Sequence, residues 1–402
     1  MIKSLKYDIT VIGGGPAGSS AAYFLARRGF KVALVDKKKF PRDKLCGGAF
    51  SPDLIKRFPT LFKNHDEFVE AVSTEGIIHS TNLQIELSGK VSMITVLRKK
   101  FDNYILNRAR DSGADIFEKW HAKNIKINKN KAIVQSKKEE IISDIVIIAE
   151  GASGTLAERA KTRKSWSRKD LIVSFANEIY VGKSTVDEIY SDSKPFHFFI
   201  NFGNKPGYAW IFPKKEHINI GLGTYLATSK DAKYTYQGFF KFLLKNKYLP
   251  KINMPRFRAA MIPIRGPPNK TYSNRILLVG DSAGMVSPIT GGGIKLGIIS
   301  SDIASKTIIK LHNEGKEYTE ENLALYETIW KKKLLKKFKS ELIVQKVFTS
   351  SFVDALFRIG ASDEILQKMT VDMLSEDKKA KPSTSSYLLR VGIALLKGTF
   401  HI

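Results

Sequence analysis

Runs of consecutive apolar residues alternate with stretches of helical periodicity over the first part of the chain. Tyr7–Ile12 (YDITVI) predicts a buried strand. Ala17–Arg28 carries apolar residues at helical spacing and ends at Gly29, a residue suited to a helix C-terminus. Lys31–Val35 (KVALV) predicts the next strand, closing at Asp36. Residues 84–97 (QIELSGKVSMITVL) predict two strands separated at Ser88–Gly89, after which Arg98 opens a helix with Phe101, Ile105, Leu106 and Ala109 on one side. Short strands fill 115–148, the last of them the apolar run Asp144–Ala149 (DIVIIA). Residues 171–225 are rich in aromatic and β-branched residues and alternate across His217–Tyr225, which predicts an antiparallel sheet. The opening pattern then returns, with a strand at Arg275–Val279 (RILLV) and a helix from about Gly292.

This order predicts an α/β chain whose parallel-sheet domain is assembled from separated pieces, 1–80, 98–165 and 270–315. An antiparallel β-sheet domain, 81–97 and 166–269, is inserted into it, and a basic helical region, 316–402, follows. The length agrees: 402 residues exceed the roughly 250–300 over which one core keeps growing. Hydrophobic residues at 43% and charged residues at 26% exclude a mainly disordered chain. The formal net charge of +27 points to an anionic partner surface. A single cysteine, Cys46, excludes an internal disulfide and a Cys-rich metal site, and fits a reducing compartment. The first residues run straight into a strand pattern, and no apolar run approaches ~18–20 residues. A cytoplasmic protein with no leader and no membrane span is expected.

Gly13-Gly14-Gly15-Pro16-Ala17-Gly18 fits G-x-G-x-x-G, with a strand before it and a helix after it. Glycines permit a tight turn and close approach of backbone to a pyrophosphate, and the helix N-terminus offers free N–H groups and about half a positive charge. Asp36, at the end of the next strand, stands where a carboxylate accepts hydrogen bonds from ribose hydroxyls. Gly13, Gly15, Ala17, Gly18 and Asp36 are therefore cofactor-site candidates in a Rossmann-type domain that binds an adenine dinucleotide.

A second motif, Arg275–Gly293 (RILLVGDSAGMVSPITGGG), places Asp281 just after a strand and a glycine run before a helix. It resembles the second FAD motif of flavoproteins related to para-hydroxybenzoate hydroxylase. The resemblance implies that Asp281 contacts the ribityl–pyrophosphate region, while Gly291, Gly292, Gly293 and Ile294 bring a helix N-terminus to the flavin. Such an N-terminus favours the negative charge of reduced flavin by roughly 0.3–1 kcal/mol. Ala149-Glu150-Gly151 resembles the middle motif of the same branch, with Glu150 in place of its usual Asp. Arg98 and Ala122 match its positions near the pyrophosphate and the adenine.

Lys44-Leu45-Cys46-Gly47-Gly48 and Tyr208-Ala209-Trp210-Ile211-Phe212-Pro213 resemble the Cys-Gly loop and the Tyr-x-Trp-x-Phe-Pro motif of geranylgeranyl reductases. Pro206-Gly207-Tyr208 departs from the family's proline spacing. The resemblance spans most of residues 5–315 and implies FAD-dependent hydrogenation of isoprenoid double bonds. It adds Cys46, Gly47 and Ala49 to the cofactor site. Tyr208, Trp210 and Phe212 alternate on a strand, so they share one face and can wall an apolar slot for a prenyl chain. An isolated alkene is not electrophilic, so hydride addition has to be accompanied by protonation in a dry site. Cys46 and Tyr208 are the catalytic candidates, and Cys46 also reads as a small packing residue.

After Trp330, the residues Lys331, Lys332, Lys333, Lys336, Lys337 and Lys339 cluster, with Leu334, Phe338 and Leu342 on one helical face. A basic amphipathic helix predicts peripheral docking on an anionic membrane surface. A second apolar stretch, Tyr387–Leu396, is too short to span. No nucleic-acid motif accompanies the charge. NAD(P)H or a ferredoxin remains open as electron donor. The alternatives are an FAD-dependent aromatic hydroxylase or other monooxygenase of the same fold, and a non-catalytic FAD-containing lipid-binding protein.

Overall fold

The computed structural model describes residues 3–128, 130–350, 353–374, 383, 386–387 and 389–390. Its centre is a six-stranded sheet in the order Tyr272–Ser273, Ile276–Leu278, Ile145–Ile148, Ile9–Ile12, Val32–Val35, Asp115–Phe117. All neighbours run parallel except the first pair. Ile9–Ile12, Val32–Val35 and Ile145–Ile148 are buried at every position. Unbroken apolar runs are what a sheet covered on both faces requires. Helix Pro16–Ala26 packs between Arg98–Asp111 and Ile294–Asn313. Ile12, Ile148 and Leu278 lie in register at the C-terminal ends of three neighbouring strands. The glycine loop, residues 149–154 and Gly280–Asp281 therefore leave the sheet at one edge, although they are far apart in sequence. Carboxyl ends of parallel strands are where such sheets place ligands.

The inserted domain is an eight-stranded sheet ordered Ala259–Pro263, Leu171–Tyr180, His217–Tyr225, Gly207–Pro213, Phe196–Ile200, Val69–His79, Glu86–Val96, Ala49–Phe50. It differs from the sequence reading in three ways. Val69–His79 pairs in this sheet rather than belonging to the nucleotide-binding piece 1–80. The sheet is mixed, because Phe196–Ile200 runs parallel to Val69–His79. Residues 86–96 form one strand, not two, and Gly89 lies inside it opposite Gly76. A glycine within a strand can mark close approach of another segment as well as a turn, and here helix Glu364–Leu374 lies over it. A four-stranded sheet of Lys3–Lys6, Glu139–Ser143, Ala132–Gln135 and Asn124–Ile127 flanks the nucleotide-binding domain.

Helix Glu320–Phe348 starts at Thr319, whose hydroxyl accepts the Asn322 N–H at 3.3 Å. Leu334 and Phe338 are buried in the main core, so the apolar stripe read as a membrane face is occupied by the chain itself. Lys332, Lys333, Lys336 and Lys339 stay exposed, whereas Lys331 and Lys337 pair with Glu327 and Glu341. The stretch Tyr387–Leu396 lies almost entirely outside the described residues. No described helix is long and apolar enough to cross a membrane.

Candidate active site

Two cavities meet where the two domains touch. The larger, about 540 Å³, runs along the edge formed by the glycine loop, Asp36, Ala122, residues 149–153 and Asp281. The smaller, about 130 Å³, lies against the eight-stranded sheet between the Cys46 loop, the aromatic strand and the Gly291–Gly293 turn. Lys44, Cys46, Ala260, Met261, Gly293 and Ile294 line both.

Within the larger cavity, Gly13 takes φ +109°, and a Cβ there would meet the Ala149 carbonyl oxygen at 2.3 Å. Gly15 differs: a Cβ would find nothing nearer than Arg42 Nη2 at 3.7 Å, so its backbone faces open space. The Asp36 carboxylate is oriented by the N–H groups of Gly14 and Lys38, each at 2.7 Å. Asp281 carries no side-chain hydrogen bond to any described residue. Desolvation raises its carboxyl pKa, and the Lys44 and Arg98 charges pull it back. Arg98 holds Asp102 through two hydrogen bonds of 2.7 and 2.8 Å, and Arg42 reaches the same carboxylate at 3.3 Å. Burial works against the Arg98 charge, but the neighbouring Asp102, with Cys46 adding to it, outweighs burial and raises its pKa. An open backbone cradle at a helix N-terminus, two carboxylates facing ribose and ribityl positions and three nearby cations fit FAD. The residues that would hold it are Gly13, Gly15, Ala17, Asp36, Arg98, Ala122, Asp281, Gly293 and Ile294.

Gly18 is the one sequence candidate that lies off both cavities. A Cβ there would sit 1.8 Å from the Gly13 carbonyl oxygen, so its part is helix–strand packing. Glu150 folds back onto a helix start, accepting the Ala157 N–H at 3.0 Å. Gly47, Ala49, Gly291 and Gly292 line the smaller cavity with Tyr208, Trp210 and Phe212. The Tyr208 hydroxyl donates to the Thr290 carbonyl, which ties the aromatic strand to the glycine turn. Cys46 Sγ accepts the Gly48 N–H at 3.3 Å.

The sequence reading missed the residues that hold this wall in place. Asn219 accepts the Trp210 indole N–H at 2.8 Å and donates to the Cys46 carbonyl at 3.0 Å and Glu178 at 3.1 Å. Lys214, wholly buried, bonds Glu178 at 2.5 Å and the Val96 carbonyl at 2.8 Å. A buried ammonium is tolerated only with such partners. Gly221 gives the indole its room, since a Cβ there would lie 2.0 Å from the ring. Position in an alternating strand was the available signal: Asn219 and Gly221 pair with Phe212 and Trp210 across the ladder.

Residues 6–327 match the family described as FAD binding domain. The digeranylgeranylglycerophospholipid reductase of Methanocaldococcus jannaschii is 32% identical over 366 residues, covering 87% of this chain and 88% of that relative. Among solved structures, a geranylgeranyl bacteriochlorophyll reductase-like protein from Thermoplasma acidophilum superposes with a TM-score of 0.80 at 21% identity, covering 98% of this chain and 96% of that one. A probable FAD-dependent monooxygenase from Pseudomonas aeruginosa reaches 0.69 at 14% identity, covering 89% and 100%. At those identities the two structures speak for the fold.

Proposed function

Because the chain belongs to the FAD binding domain family, and within it to the geranylgeranyl reductases, we propose that it hydrogenates carbon–carbon double bonds of isoprenoid chains on glycerophospholipids. It is an FAD-dependent oxidoreductase. The observation that carries the lipid reading is the junction of the cofactor-sized cavity with an apolar slot walled by Tyr208, Trp210 and Phe212. When bound and reduced, FAD supplies the hydride.

The chain's own residues do the remaining work. The aromatic wall excludes water and flattens the prenyl chain against the sheet. The Asn219 bridge keeps Trp210 and the Cys46 loop at one spacing. Cys46 Sγ, which accepts the Gly48 N–H where the two cavities meet, is the group at the junction that holds and passes the proton to one alkene carbon. Tyr208, committed to the Thr290 carbonyl, positions the slot. The exposed lysines of helix Glu320–Phe348 suit an anionic membrane surface, each worth about 1 kcal/mol near it. NAD(P)H or a ferredoxin supplies the electrons. The hydroxylase alternative rests on the shared fold alone.

The test is chemically reduced enzyme incubated with a digeranylgeranylglycerophospholipid, with flavin absorbance and lipid mass followed together. Mass gains of two hydrogens with flavin reoxidation are expected, and Cys46→Ser should keep its flavin while turning over more slowly. Flavin that stays reduced in the presence of lipid, or oxygen found in the product, would overturn the reading.

A further inference from the structure

Beyond the slot lies a smaller void of about 10 Å³, and Met93 and Phe198 line both. Gly76 and Val371 close its far side. The void has a cause in the sheet. Gly76 stands directly opposite Gly89 on the antiparallel pair, and two facing glycines leave a dimple. Val371, 1% exposed and carried by helix Glu364–Leu374, fills that dimple. A Cβ on Gly76 would come within 3.3 Å of the Val371 side chain, and one on Gly89 within 3.2 Å. Gly360 of the preceding helix, Val353–Ala361, admits Leu87 in the same manner, at 3.2 Å. The two helices therefore seat on the sheet through missing side chains, and the end of the apolar path is a helix residue from far along the chain.

Volume gives this stop a function. A cavity near 130 Å³ is close to the size that admits a six-carbon ring, so the slot takes about one isoprene unit. A geranylgeranyl chain is much longer. Resting on the isoprenoid reading above, we infer that Met93, Phe198 and Val371 form a stop that sets how far a prenyl chain threads past the flavin site. The stop thereby selects which double bonds are presented. Val371 is its adjustable part: shortening it deepens the void behind Met93 and Phe198 and gives those two side chains room to yield, and lengthening it fills the void.

Reduced enzyme in detergent micelles with a digeranylgeranylglycerophospholipid tests this, with products sorted by mass into fully and partly saturated lipid. Val371→Ala should raise the ratio of fully to partly saturated product by roughly tenfold, the discrimination one or two methyl groups give in an apolar site. Val371→Ile should lower it. Flavin absorbance and a thermal melt show that each variant is folded, and either variant alone suffices if the other fails to fold. An unchanged ratio in a folded, active variant overturns the inference while the parent reading stands. A wild-type enzyme inert towards the lipid sinks the parent reading and the inference with it.

Discussion

The two faces of the eight-stranded sheet are built from the same strands and end up with different tasks. Along Phe196–Ile200 and Gly207–Pro213, the residues Phe196, Phe198, Trp210 and Phe212 belong to the face with the slot, and Tyr208 packs against them. Phe199, Ala209 and Ile211 belong to the other face, which Tyr236, Phe239 and Phe240 of helix Ala232–Lys245 close completely. Hydrophobicity does not separate the two sets. Absent side chains do. Gly221 sits under the Trp210 ring, and a Cβ on Gly47 would strike the Phe212 ring at 2.6 Å. Large residues opposite glycines leave a shaped gap, whereas large residues opposite large residues leave a core. The closed face also hides a polar pair: His79 Nε2 and His197 Nδ1 lie 3.0 Å apart, and Glu86 reaches His79 Nδ1 at 2.8 Å.

Emptying the closed face should cost most. Phe239→Ala removes a fully buried ring and should lower stability by roughly 3–5 kcal/mol in denaturant titration, with the flavin spectrum unchanged. A loss of only about 0.5 kcal/mol, as ordinary surface substitutions give, would mean that this face is not the tight core described.

Filling the slot face should cost less stability and more function. Gly221→Ala pushes a methyl into the Trp210 indole, an overpacking worth roughly 1–3 kcal/mol. Lipid reduction should collapse while FAD remains bound, because Trp210 then tilts across the slot. Turnover at the wild-type rate would show that the indole does not shape the slot.

The effect that vanishes at neutral pH is a pH dependence confined to the closed face. Burial and the neighbouring His79 push His197 down to about 3 from an ordinary value near 6.5. Between those values the unfolded chain takes up a proton that the folded chain refuses. The stability this histidine allows is complete above about pH 6.5 and falls as the pH drops, by at most ~1.4 kcal/mol per pH unit. His79 is lowered as well, chiefly by burial, and Glu86 opposes that shift. His197→Phe should flatten the fall in melting temperature between about pH 6.5 and about pH 4. An acid limb of unaltered slope would place the titrating groups elsewhere.

Most of the lining of the larger cavity was legible from the amino-acid order. Gly13–Gly18 and Asp36 form a contiguous strand–loop–helix–strand code, and Asp281 with Gly293 forms another, whereas Gly291 and Gly292 line the slot instead. In both, the backbone conformation and the ligand groups lie within one short stretch, so local spacing carries the chemistry. The aromatic triplet was legible for the same reason, since alternation alone puts Tyr208, Trp210 and Phe212 on one face. Other features required the folded chain. The glycine at 89 reads locally as a turn and is a strand residue through its pairing opposite Gly76, where Val371 covers it. Leu334 and Phe338 read as a free apolar stripe until the core they fill is known. Asn219 and Lys214 look like ordinary strand and loop polars until Glu178, the Trp210 indole and the Cys46 loop are brought beside them. A residue's own neighbours in sequence set its backbone and the direction of its side chain. What that side chain meets, and so whether a gap becomes a core, a slot or a stop, depends on segments that only folding brings together.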